Sequence, residues 1–346
     1  MRKNDDILIE TFHFENFLEK KVFQIATELD NSVLLMKSTI ADFIAGVRQT
    51  TQEQILLLTN TELEALFSAS AAFGFTLGQH FAAIERLSES DAWKQKNYDC
   101  WKKLSTGKEL CGLATTHLGR PGPAILTGIK ATGGYQLNGT APWSCGFGIF
   151  DQLVVGFEIN DQVVFATTEY PKSLKTDVGV SVKQHELVCL NGTASVLMNF
   201  KETFIDEKHV ISTRPKSSDI KIRASRYVGF EIGIGKRALS EIQSELQAST
   251  HPRKKIISIG TDKIKARLNI LERMRAETPQ DPMLSVLIFE FNQDCVRLLS
   301  LTLGARALLK TSFVSRLQQE LSLFDAVVQS PKSIALKIER IVGGFD

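Results

Sequence analysis

The sequence predicts an α+β multi-domain protein: an N-terminal helical bundle, a middle antiparallel β-barrel or sandwich, and a C-terminal helical bundle. Three observations carry this. Apolar residues recur at helical spacing through residues 1–108 and again after 210. Between them lie short apolar runs of strand length, ELCGLATTH, YQLNGTAPW, DQLVVGFEI, DQVVFATTE, VSVKQH and ASVLMNFKETFI, set apart by GG, NG, ND and Pro-containing turns. At 346 residues the chain is long for one domain. The expected boundaries are 1–108, 109–210 and 211–346.

In order, Phe14, Phe17, Leu18, Val22, Ile25 and Ala26 mark a first amphipathic helix, and Asn31 or Ser32 caps a second. Thr61 opens T-E-L-E, with Glu64 as the capping-box carboxylate. One long helix, LEALFSASAAFGFTLGQHFAAIERL, follows; apolar nearly all round, it belongs inside a bundle, with His80 read as a hydrogen-bonded core histidine. A charged helix covers Ser88 to Trp101, starting at Ser88 or Ser90. In the β region Asn160-Asp161 reads as a tight hairpin. From Ile211 the chain reads as a polar linker, STRPKSSD, before helical spacing over 220–247. A loop, STHPRKKIISIG, then leads to a helix from Thr261 to Arg275. A very apolar helix ending near Gly304 and helices over 312–328 and from Pro331 to Val342 complete the chain, with Pro331 in a first turn.

Composition excludes several classes. Hydrophobic residues make up 43% and charged residues 23%, enough for a sizeable core, and a net charge of +2 gives no reason to expect nucleic acid as a partner. The acids in MRKNDDILIETF argue against a secretory signal, and no run approaches the roughly 20 apolar residues that span a bilayer. Five scattered cysteines without a CxxC pair point to reduced thiols in the cytoplasm and to no metal site.

The motifs make the order of domains specific. YDCWKKLSTGKELCGLATT, GGYQLNGTAPW, the spacing from Trp143 to Asp151, FKETFIDEKHVIS, GFEIGIGKRALSEI and LGARALLKTSFVSRL together resemble the acyl-CoA dehydrogenase family of flavoproteins along nearly the whole chain. A flavin needs backbone N–H groups and small hydroxyls at its edge and apolar cover on its face. The resemblance implies FAD as cofactor, held by Thr116, His117, Trp143, Cys145 and Gly146. It implies that Arg253, in the basic loop HPRKK, reaches a neighbouring subunit's cofactor pyrophosphate, an anion suited to a guanidinium fork. It also implies a homodimer or homotetramer acting on a small-molecule substrate, an acyl-CoA among the candidates.

The chain departs from the family at the catalytic base. The place of the family's glutamate falls on Val328-Gln329, and the alternative place falls near Arg223. His117, Cys145 and Asp325 are the remaining candidates for proton work. Three functions fit this pattern: an oxidoreductase acting on the CH–CH bonds of an acyl thioester or related small substrate, a flavin-dependent monooxygenase, and a non-catalytic flavin-binding or assembly relative.

Overall fold

The computed structural model describes residues 17–51, 58–118, 122–174, 179–216, 231–248, 253–279, 281–309, 312–326 and 331–342. Contacts divide the chain into two compact units, one of residues 1–22, 28–58 and 75–222, the other of 23–27, 59–74 and 223–346.

The first unit holds an eight-stranded sheet: β1 (Cys111–Ala114), β2 (Leu126–Ala131), β3 (Gly134–Ser144), β4 (Gln152–Ile159), β5 (Gln162–Glu169), β6 (Val180–Gln184), β7 (Val196–Asp206) and β8 (Val210–Pro215). Their order is β6-β7-β3-β2-β4-β5-β8, with β1 beside β4. Most pairings are antiparallel, as expected, but β1 and β2 both run parallel to β4. The Asn160-Asp161 hairpin forms as predicted: Ile159 pairs with Gln162, and Asn160 takes the left-handed φ of +52° that Asn tolerates. Two strands correct the sequence reading. β2 was absent from the predicted runs, and the supposed linker at Ile211 is β8, an antiparallel edge strand on β5. Pro215 ends β8, where the missing N–H is tolerated.

Helices cover this sheet. Ala83, Ile84, Leu87, Trp93 and Leu104 form one apolar cluster with Cys111, Leu118, Val154, Val163, Phe165 and Ile211. The indole of Trp93 donates to Thr167 Oγ1 (3.1 Å), and Ser90 Oγ donates to the Ile211 carbonyl (2.8 Å). Ser90 is the cap, and the expected single helix divides into Asp91–Lys96 and Tyr98–Ser105. Ser32 caps Val33–Thr51, its Oγ accepting from the Leu35 amide.

The second unit is helical: Asn60–Ala69, Ile232–Ala248, Lys254–Glu277, Pro282–Leu303, Phe313–Ala326 and Pro331–Val342. Asn292 ties two of these together, accepting from the Gly235 amide (3.0 Å) and donating to the Glu231 carbonyl (2.7 Å). Three expectations change here. The capping box is Thr59 with Glu62, two residues before Thr61-Glu64. Glu64 is instead buried between Lys236 and Arg275. The residues read as a loop, KKIISIG, open the helix Lys254–Glu277, with the Thr261 hydroxyl donating to the Ile257 carbonyl inside it rather than capping it.

The long helix expected from Leu63 to Leu87 is broken at Ser70, whose φ of −160° and ψ of 122° are extended. A new helix, Ala71–Ser88, starts there, with Ser70 Oγ accepting from the Phe73 amide. A buried ion pair serves the backbone groups freed at the break: Glu320 Oε1 accepts from the Ala71 amide (3.3 Å), while Arg316 donates to the Ala69 carbonyl (3.4 Å) and to Glu320 (2.9 Å). Interrupting a helix leaves such groups to be satisfied by side chains.

Among the described residues no helix is long and apolar enough to cross a membrane. Arg223, Val328 and Gln329 lie outside the described residues.

Candidate functional site

The ends of β1 and β3 meet in the first unit. Thr116, exposed just beyond β1, donates from Oγ1 to the Trp143 carbonyl (3.3 Å). Ser144 Oγ donates to the Leu113 carbonyl (3.2 Å), so side chains join strands that share no ladder. The turn after β3 is equally tied. Gly146 N–H donates to the Thr193 carbonyl (2.7 Å), Phe147 N–H to the Ala194 carbonyl (3.1 Å), and the buried Tyr170 hydroxyl to the Cys145 carbonyl (2.9 Å). Gly146 has φ +91°, and a Cβ there would lie 2.1 Å from the Phe150 ring. Gly146→Ala is therefore expected to lower stability by about 2 kcal/mol or more, read as a shift in urea midpoint. An unchanged midpoint would mean that the turn relaxes freely.

The Trp143 ring stacks on His185, with centroids 4.7 Å apart and planes at 21°. Its Nε1 is buried and has no hydrogen-bond partner among the described residues. A buried donor left so costs about 1–3 kcal/mol, and a bound acceptor relieves that cost. Sequence reasoning missed His185, Tyr170 and Thr193. His185 reaches Trp143 through strand pairing alone: Gln184 pairs with Val196, and Val196 pairs with Ser144.

Two of the proton-transfer candidates, His117 and Cys145, are buried. His117 is buried beside β4, with Nε2 2.8 Å from the Gly156 carbonyl, and so anchors the end of β1 to the sheet. Burial pushes the Cys145 thiol up to about 12, the reverse of what a reactive thiolate requires. Asp325 lies in the last turn of Phe313–Ala326, and its side chain is outside the described residues. Arg253 is exposed at the start of Lys254–Glu277 in the second unit. Beside it, a recess of about 230 Å³ is lined by Gln243, Gln247, Lys254, Ser258 and Lys265, with Asp262 the one acidic side chain among the described residues.

His80 is a core histidine, as expected. Its Nδ1 accepts the Cys111 amide (3.1 Å), and burial lowers its pKa from 6.5 to about 4. The folded protein thus holds a neutral imidazole that the unfolded chain protonates more readily. This contribution, of order 3 kcal/mol, is complete above pH 6.5 and is lost as pH falls from 6.5 to about 4. The urea midpoint should fall across that window in the wild type and fall less in His80→Gln; parallel curves would remove His80 from the account.

No family sequence model matches the chain, and no curated protein matches it by sequence. Solved structures do match by shape. A glutaryl-coenzyme A dehydrogenase in complex with glutaryl-CoA aligns with a TM-score of 0.76 at 12% identity, covering 99% of this chain and 96% of its own. PigA with FAD and proline aligns with a TM-score of 0.76 at 18% identity, covering 99% of both chains. A dibenzothiophene monooxygenase, TdsC from Paenibacillus sp. A11-2, aligns with a TM-score of 0.67 at 14% identity over 96% of this chain and 97% of its own. The fold of this chain, with helices before and after a mixed β-sheet in chain order, is that of the acyl-CoA dehydrogenases and their flavoprotein relatives.

Proposed function

We propose that this chain is an FAD-dependent oxidoreductase acting on the CH–CH bond of an acyl thioester or a related small substrate. The observation that carries the proposal is the meeting of Thr116 and Trp143 at two strand ends, where the exposed Thr116 hydroxyl reaches the Trp143 carbonyl and the Trp143 indole carries a buried N–H with no partner among the described residues. This donor set fits the edge of a flavin, and the shared fold supports it, since PigA is solved with FAD and a glutaryl-CoA dehydrogenase with glutaryl-CoA. A bound flavin would supply hydride acceptance at N5.

In this proposal Thr116, Trp143 and the Gly146 turn hold and orient the ring edge. His117 and the Cys145 side chain are not direct contacts: His117 fixes the end of β1, and Cys145 is part of the buried turn. Arg253 serves the pyrophosphate, with Lys254 and Lys265 of the adjoining recess as further cations. The Arg253 role is carried between subunits of a homodimer or homotetramer, and a monomer by light scattering would remove it.

The monooxygenase alternative needs no carboxylate to take an α-proton, and one observation favours it. Among the described residues the buried carboxylates are committed: Asp30 to the Leu190 amide, Glu64 to Lys236 and Arg275, and Glu320 to Arg316. An anaerobic titration of the FAD-loaded protein with a set of acyl-CoA thioesters decides between them. The proposal expects bleaching of the flavin band by at least one thioester. Substrate-dependent oxygen use that appears only with an added flavin reductase would replace it with the monooxygenase. Bound FAD that responds to neither assay would favour the non-catalytic relative.

A further inference from the structure

His185 lies outside every residue assigned so far, yet it covers one face of Trp143. Its ring is fixed independently of the indole, with Nε2 2.9 Å from the Pro142 carbonyl, and its amide donates to the Ser195 carbonyl (3.0 Å). The segment that follows it, Leu187–Ser195, is unusually constrained. Leu190 and Ala194 are buried non-glycine residues with φ of 60° and 47°, a conformation that persists only where surrounding structure enforces it. The enforcing contact is Asp30: its carboxylate accepts the Leu190 amide (2.6 Å) and its carbonyl the Gly192 amide (2.7 Å). At Gly192 a Cβ would lie 1.7 Å from the Leu29 carbonyl oxygen, so this approach requires glycine. The Thr193 and Ala194 carbonyls of the latched segment then receive the amides of Gly146 and Phe147. One continuous set of contacts thus runs from Asp30 to the Gly146–Phe147 turn that follows Trp143 and, through Ser195, to His185.

We propose that His185 is a positioning residue for Trp143: held by the Asp30-latched segment, it fixes the plane of the indole and so sets the affinity of the flavin wall for its ligand. The flavin part rests on the function proposed above; the fixing of the indole does not. Aromatic pairs contribute about 0.5–1.5 kcal/mol beyond area burial, so losing the stack corresponds to weakening of up to about tenfold.

The test uses the full chain labelled with 5-fluorotryptophan, with the Trp143 fluorine resonance assigned by its loss in Trp143→Phe. His185→Ala should shift or broaden that resonance without moving those of Trp93 and Trp101, and should raise the FAD dissociation constant about tenfold. His185→Phe, which keeps a ring for stacking, should restore most of both. A lower melting temperature with an unchanged Trp143 resonance and unchanged FAD affinity would reduce His185 to a structural contact and overturn the proposal. If the wild type takes up no FAD, the flavin reading fails, while the fluorine resonance still decides whether His185 positions the indole.

Discussion

Trp143→Phe is expected to weaken FAD binding about tenfold or more while leaving the ligand-free protein within about 1 kcal/mol of the wild type. Two terms oppose each other in the ligand-free state. Phenylalanine removes the buried indole N–H that lacks a partner, which is stabilising, and it fills less of the space beneath His185, which is destabilising. With ligand bound only the loss remains, because the donor is gone. Trp143→Ala should weaken binding further, since the stacking surface goes as well. Paired measurements of urea midpoint and FAD affinity separate these effects. An FAD affinity equal to the wild type in both variants would move the cofactor away from Trp143.

Glu320→Ala is expected to cost about 3–5 kcal/mol of stability, the largest effect predicted for the second unit. The variant leaves Arg316, which is 5% exposed, as a buried charge without its carboxylate, and it removes the acceptor of the Ala71 amide at the Ser70 break. Arg316 also lies 5.7 Å from the centroid of Phe23, a contact too weak to replace the carboxylate. The double variant Arg316→Met, Glu320→Leu should recover much of the loss, because an apolar pair of similar size avoids burying one unpaired charge. Denaturant unfolding of the three variants measures this. A loss below about 1 kcal/mol for Glu320→Ala would show that the break is held by the helices' own packing and not by the ion pair.

That break marks the limit of what local sequence conveys. Ser70 sits in a run of small and apolar residues with good helical spacing, and the groups that stabilise its extended backbone come from Arg316 and Glu320, far along the chain. The capping box slipped by two residues for a related reason: Thr59-x-x-Glu62 and Thr61-x-x-Glu64 are equivalent locally, and only Lys236 and Arg275 draw Glu64 into the interior. The segment around Gly260 reads locally as a loop, yet it forms the first turns of Lys254–Glu277, with Ile257 buried and Ile256 and Ile259 exposed. Where local chemistry is decisive, as at Asn160, Ser32 or Ser90, sequence and structure agree.

The candidate site divides in the same way. Thr116 and Trp143 stand at strand ends that turn signals and apolar runs locate, and the structure joins them. His185 carries no local signal, because it arrives through the β6–β7 and β7–β3 pairings. His117 and Cys145 were attractive by residue type, but burial and a carbonyl partner determine what they can do.

The central claim is that the strand ends carrying Thr116 and Trp143 form one wall of an FAD site. It is tested most directly by the visible absorption spectrum of the purified protein after incubation with FAD and removal of the excess. A retained flavin band corresponding to one FAD per chain is expected, diminished in Trp143→Phe and preserved in Val328→Ala. A colourless wild-type protein that takes up no FAD would contradict it.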